Sequence, residues 1–188
     1  MMANNGDGDS SDAFFFESQQ WARCAVHCVN NLVQRGAVTH ADFDAECVAL
    51  APEASRWRNP HRSLIPGVGD YDANVLINIV QRVAQASVRF VDRRQRPLPV
   101  RLDDDRLVGF VVNVTRSSNV LWRLFGSGKH WFAIARKGRR FALCDSLHDG
   151  ARPFADDAAV VNFLEALVDD ARADANILIV ERAAEGSA

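Results

Sequence analysis

Two β-rich runs, HWFAIAR at 130–136 and RRFALCD at 139–145, are separated only by Lys137 and Gly138. Both are short, largely apolar runs, and so short a connection suits a tight antiparallel hairpin. If Arg136 opposes Arg139, the numbers of every opposed pair sum to 275, which sets His130 opposite Asp145, Phe132 opposite Leu143 and Ile134 opposite Phe141. Opposed residues share a face of the sheet, so this register lays a carboxylate beside an imidazole with apolar neighbours to hold both. A slip of one residue would send the acid to the other face. The alternative is an exposed histidine at a strand end with an unrelated aspartate.

The remainder of the chain must supply elements that pack on this hairpin. Ala22 to Gln34 lacks Gly and Pro and stops at Gly36, which predicts a helix. Thr39 followed by Asp42 resembles a capping box and starts a second helix that Pro52 ends. Trp57 to Asp72 is rich in Pro, Gly, Asn and Ser and reads as a structured loop. Asp72 caps a third helix, along which Val75, Ile79 and Val83 recur every fourth residue. Val88 to Val91 and Leu107 to Val114 are further β-rich runs. Pro153 and Asp156 precede a striped helix through Leu167, and Asn176 to Glu181 is a last strand. Helices first and strands afterwards imply an α+β fold, with N-terminal helices packed on a largely antiparallel sheet.

At 188 residues the chain fits one domain. Residues 14–182 are expected to form it, with 1–13 as an acidic disordered leader and 183–188 as a flexible tail. No apolar run suggests a membrane span, and the opening residues do not read as a secretory signal. Four cysteines, at 24, 28, 47 and 144, would permit two disulfides, but a chain of this size without a secretion signal points to a reducing compartment. The expected location is the cytoplasm, with the nucleus also open to it. With 22 basic against 24 acidic residues the net charge is −2, which argues against a general nucleic-acid binder. The small cluster Arg93, Arg94 and Arg96 is expected to be screened by Asp103 to Asp105 along one solvated connection.

Cys24 falls near the start of the first predicted helix. The unpaired amides there stabilise an anion, and a nucleophilic cysteine needs such help because its free thiol is mostly protonated near neutrality. Its competing reading is a buried thiol that only packs. Cys28, one turn later, reads as core. His27 lies between them on the same surface. Cys24, His27 and Cys28 could offer three soft ligands, but His27 and Cys28 are adjacent and point apart, and no second C-x2-C pair exists for a structural zinc. Gln19, just before the helix, could donate an amide hydrogen bond to an oxyanion near Cys24. His61 reads as structural, and His148 sits in a turn beyond the strand. Gly126-Ser-Gly128-Lys129 lacks the phosphate-loop spacing and precedes a strand.

The chain also resembles a known family. The stretch F-F-E-S-Q-Q-W-A-R-C-A-V-H-C-V-N-N-L at 15–32 is similar to the segment around the nucleophile of the Josephin proteins, papain-like cysteine peptidases that act on ubiquitin conjugates. N-P-H-R-S-L at 59–64, G-D-Y-D-A-N-V at 69–75, G-F-V-V-N-V at 109–114, K-H-W-F-A-I at 129–134 and L-C-D-S at 143–146 continue it in order. The resemblance implies a nucleophile at Cys24, a general base at His130, an orienting group at Asp145, an oxyanion donor at Gln19 and a structural role for His27. It further implies ubiquitin or polyubiquitin conjugates as partners, and neither metal nor organic cofactor. Three positions depart from the family pattern: Phe16 stands where His is common, Asp70 where Asn is usual, and Trp21 adds bulk on the approach to Cys24. Two competing readings stand beside the hydrolase: a ubiquitin-binding module with little turnover, and a cysteine peptidase or transferase with another substrate. Two regions could meet a folded partner, the second helix with its Trp57 to Tyr71 loop and the apolar Val120 to Phe125 segment, and the competing reading of the latter is that it seals the edge of the core.

Overall fold

The structure, a computed structural model, describes residues 13–19, 23–55, 58–61, 71–115 and 129–183. Trp21, Trp57, Asp70 and the Val120 to Phe125 segment lie outside them. Among the described residues four helices, α1 (Cys24–Leu32), α2 (His40–Leu50), α3 (Ala73–Ala84) and α4 (Asp157–Asp169), accompany six strands. The strands are β1 (Ala86–Phe90), β2 (Leu107–Thr115), β3 (Lys129–Lys137), β4 (Arg140–Cys144), β5 (Arg152–Pro153) and β6 (Asn176–Arg182). They form one antiparallel sheet in the order β1-β6-β2-β3-β4-β5. This is the expected α+β architecture, with the N-terminal helices on a largely antiparallel sheet. Among the described residues no helix is long and apolar enough to cross a membrane.

Strand alternation splits the core in two. Val111, Trp131, Ala133, Cys144, Leu178 and Val180 face α1, α2 and α3. Phe110, Val112, Phe132, Ile134, Phe141 and Ile179 face Val160 and Leu164 of α4. Small residues on the first face, Ala133, Ala135 and Ala142, let α1 lie close to the sheet, and every residue of α1 except His27 is buried. Gly109 has φ +150, and a Cβ there would stand 2.3 Å from the Ile134 carbonyl oxygen and 3.0 Å from a Leu32 methyl. Any side chain at 109 would thus force β2 from β3 and α1 from both.

The helix boundaries follow the expected chemistry. Asp42 accepts from the Thr39 amide at 2.7 Å, and Asp72 accepts from the Val75 amide at 3.1 Å. Asp156 likewise accepts from the Ala159 amide at 2.8 Å. α1, however, closes earlier than Gly36 implies. Gln34 takes the left-handed backbone at φ +59 and the Arg35 amide returns to the Asn30 carbonyl, a Schellman closure on a residue other than glycine.

The hairpin register also differs from the expectation. Lys137 pairs with Arg140, Arg136 with Phe141 and Ile134 with Leu143, so opposed pairs are displaced by two positions and His130 is not directly opposite Asp145. The reason lies in the turn. Its central residues are Gly138 and Arg139, with Gly138 at φ +61, so glycine occupies the first central position that a tight primed turn reserves for it. A shift of two preserves the face, so Asp145 remains a diagonal neighbour of His130 on the same side.

The arginines on the β1–β2 connection are paired, though not with Asp103 to Asp105. Arg93 meets Asp174, Arg94 meets Asp92 and Arg96 meets Asp169. Arg101, Arg106 and Arg136 take up Asp103, Asp104 and Asp105.

Candidate active site

His130 is the second residue of β3 and only 5% exposed. Its Nε2 lies 2.7 Å from Asp145 Oδ1, just past the end of β4. Burial pushes the Asp145 carboxyl up, but the hydrogen bond and field of His130, the Leu147 amide and His148 outweigh it and hold the acid below its usual range. An ionised carboxylate only accepts, so Nε2 carries the proton and Nδ1 is the open nitrogen of the neutral ring. His148 approaches the other oxygen at 3.8 Å, beyond hydrogen-bond reach, and is partly exposed.

Gln19 joins this pair through the residue after Asp145. Its amide donates to the Ser146 carbonyl at 2.6 Å, and the Ser146 hydroxyl donates to Gln19 Oε1 at 3.3 Å. Two hydrogen-bonded pairs, His130 with Asp145 and Gln19 with Ser146, are thus connected through the peptide bond between Asp145 and Ser146.

Cys24 is the first residue of α1 and 8% exposed. It belongs to the core on the helix side of the sheet, whereas His130 has the strand parity of Phe132 and Ile134 on the α4 side. Asp145 bonds His130. The Cys28 thiol is raised first by burial and then by the charges of Cys24, Asp145 and Cys144. None of the four cysteines forms a disulfide among the described residues. Burial pushes Cys144 to about 12, so Cys28 and Cys144 stay protonated near neutrality. The Cys47 thiol donates to the His61 carbonyl at 3.6 Å.

The other candidates are structural. His61 Nδ1 bonds Asp72 at 2.7 Å, fastening the Asn59-Pro60-His61 loop to the cap of α3. His27 Nδ1 lies 3.0 Å from Glu17, which also accepts from Asn30 at 3.0 Å. Among the described residues no cluster of His, Cys, Asp and Glu is arranged as a metal site.

One device escapes a reading of the sequence alone. Asn31 accepts from the Glu17 amide at 2.7 Å and donates to the Glu17 carbonyl at 3.2 Å. Gln34 does the same for Phe15, at 3.0 and 3.3 Å. Two side-chain amides thus imitate a strand partner and strap residues 15–17 along α1, which sets where Gln19 emerges. The only signal was the N-N-L-x-Q spacing after Cys24, where polar residues fall on an otherwise buried helix.

Comparison with known proteins agrees with the region just described. The sequence profile of the Josephin family matches residues 19–181. Josephin-2 of Mus musculus is 32% identical over 158 residues, covering 84% of this chain and 81% of that protein. Josephin-2 of Homo sapiens is 32% identical over 162 residues, covering 86% and 83%. A Josephin-like protein of Arabidopsis thaliana is 30% identical over 169 residues, with 84% of this chain and 45% of that protein covered.

Proposed function

The chain belongs to the Josephin family, and from that premise we propose that it is a deubiquitinating thiol hydrolase. In this reading Cys24 is the nucleophile, His130 the general base, Asp145 the group that fixes the ring, and Gln19 the oxyanion donor. The observation that supports it is the buried 2.7 Å contact between His130 Nε2 and Asp145, the pairing by which an acid fixes the ring of a general base.

Nδ1 takes the Cys24 proton, and the α1 amides favour the resulting thiolate. The thiolate attacks the carbonyl of the C-terminal glycine of ubiquitin, joined to a lysine by an isopeptide bond. The oxyanion receives the Gln19 NH2 and the Cys24 amide. His130 then protonates the leaving amine, and water releases the acyl group with His130 again as base. Cys28 and Cys144, held as thiols by burial, do not compete for this role. The location that suits a thiol enzyme is the reducing cytoplasm or nucleus.

An electrophilic ubiquitin probe, reactive at its C-terminus, tests the assignment. The intact protein should form a covalent adduct lost in Cys24→Ala and retained in Cys28→Ala. An adduct on any other residue, or none at saturating probe while the folded protein still binds ubiquitin, would instead favour the binding-module reading.

A further inference from the structure

A cavity among the described residues lies at the far end of the sheet. Lys137 is seven residues from His130 along β3, so at about 3.4 Å per residue the two ends stand roughly 24 Å apart. The cavity is an open groove of about 960 Å³ between the end of α1, the β3–β4 turn and the end of β6. Five cations line it, Arg35, Arg136, Lys137, Arg139 and Arg182, against one carboxylate, Asp105. In a chain of net charge −2 this is a marked local excess.

These cations differ in how far they are engaged. Arg136 is occupied by the backbone carbonyls of Asp104, Leu107 and Gly138 and by Asp105. Lys137 donates to the Ala13 carbonyl at 2.6 Å. Arg35, Arg139 and Arg182 are exposed, and no side-chain hydrogen bond or ion pair engages them among the described residues. They come from three separate elements, so one small anion cannot reach all of them. Between them lies a half-buried apolar floor that includes Val33, Val83 and Val108. Of the two aromatics that line it, Phe14 already has the Arg140 guanidinium 5.6 Å from its ring centroid.

We propose that this groove binds an acidic peptide segment of a partner protein, with aliphatic side chains on the floor and carboxylates distributed to Arg35, Arg139 and Arg182. The spread of charge matches an extended chain, and the apolar floor matches its alternate side chains better than a phosphate backbone. The site is remote from Cys24 and His130 and stands whether or not the hydrolase reading does.

Fluorescence anisotropy of the full chain with a labelled peptide of about ten alternating Glu and Leu residues tests it. Binding should be saturable and fall steeply as salt rises from about 0.05 to 0.3 M. The Arg139→Glu/Arg182→Glu pair should raise Kd at least about tenfold, and Arg35→Glu severalfold, at unchanged thermal midpoint. A Lys and Leu peptide should not bind. The proposal is overturned if the acidic peptide fails to bind, if the reversals leave its Kd unchanged, or if an oligothymidine of equal charge binds more tightly.

Discussion

Asp145 is the most heavily engaged side chain of the candidate site. One oxygen accepts from His130 Nε2 at 2.7 Å and from the Leu147 amide at 3.1 Å, while the other faces His148 at 3.8 Å. In the proposed hydrolase the distances favour His130 over His148 as the base. His130→Ala should reduce turnover by at least about a thousandfold, as expected when a general base is lost. His148→Ala should change it less than about threefold, and steady-state kinetics of the two purified variants would reverse the assignment if the order were inverted. The acid makes a separate prediction. Its folded pKa lies below the usual carboxylate range, so its stabilisation is complete above about pH 4 and is lost as pH falls through that range toward the folded value. Asp145→Asn keeps an oxygen for Nε2 but no charge. Thermal midpoints from about pH 7 down to about pH 2.5 should fall less steeply for this variant than for the native chain, and parallel curves would contradict the linkage.

At the scale of elements, the strap of residues 15–17 on α1 connects packing to chemistry. Asn31→Ala removes both bonds to the Glu17 backbone, which should cost about 1–3 kcal/mol in urea unfolding. Because Gln19 follows two residues later, kcat should fall about tenfold with KM nearly unchanged, the signature of a misplaced oxyanion donor. An unchanged kcat in a protein of reduced stability would show that the strap only packs. The same region shows what was legible beforehand. The Asp72 cap, the Thr39–Asp42 contact and the order of helices and strands were readable because caps and periodicity are local. So was the shared face of His130 and Asp145, since a tight hairpin preserves parity when its turn moves by one residue. The register itself was not, because Lys137-Gly138 and Gly138-Arg139 both fit a two-residue turn, and the positive φ of Gly138 selects the second. Nor was the end of α1, where Gln34 accepts a left-handed backbone while its amide secures Phe15. Side-chain amides that replace strand partners have no period to detect.

For the whole molecule the question is how a site this small selects a folded protein. The thiol, the imidazole and the oxyanion donor contact only the last residues of a tail, whereas a specific complex commonly buries about 800 Å² on each partner around apolar anchors. Val48 on α2 and Phe90 on β1 are exposed, at 55% and 56%, but neither adjoins the site. Leu147 does. It is 41% exposed, and its amide bonds the same Asp145 oxygen that orients His130. In the proposed hydrolase, this apolar side chain beside Asp145 is the candidate to meet the surface from which the ubiquitin tail emerges. Leu147→Ser leaves the backbone amide in place, so it should raise KM for an intact ubiquitin conjugate about three- to tenfold while kcat is retained. Cleavage of a short peptide ending in the same tail should be unaffected. NMR titration of Cys24→Ala with ubiquitin supplies the independent measurement: shifts should saturate around Leu147, His148 and the start of α1, and Leu147→Ser should weaken that binding by the same factor. Equal losses on conjugate and peptide would mean that Leu147 acts through Asp145, and the recognition surface would then have to be sought elsewhere on the molecule.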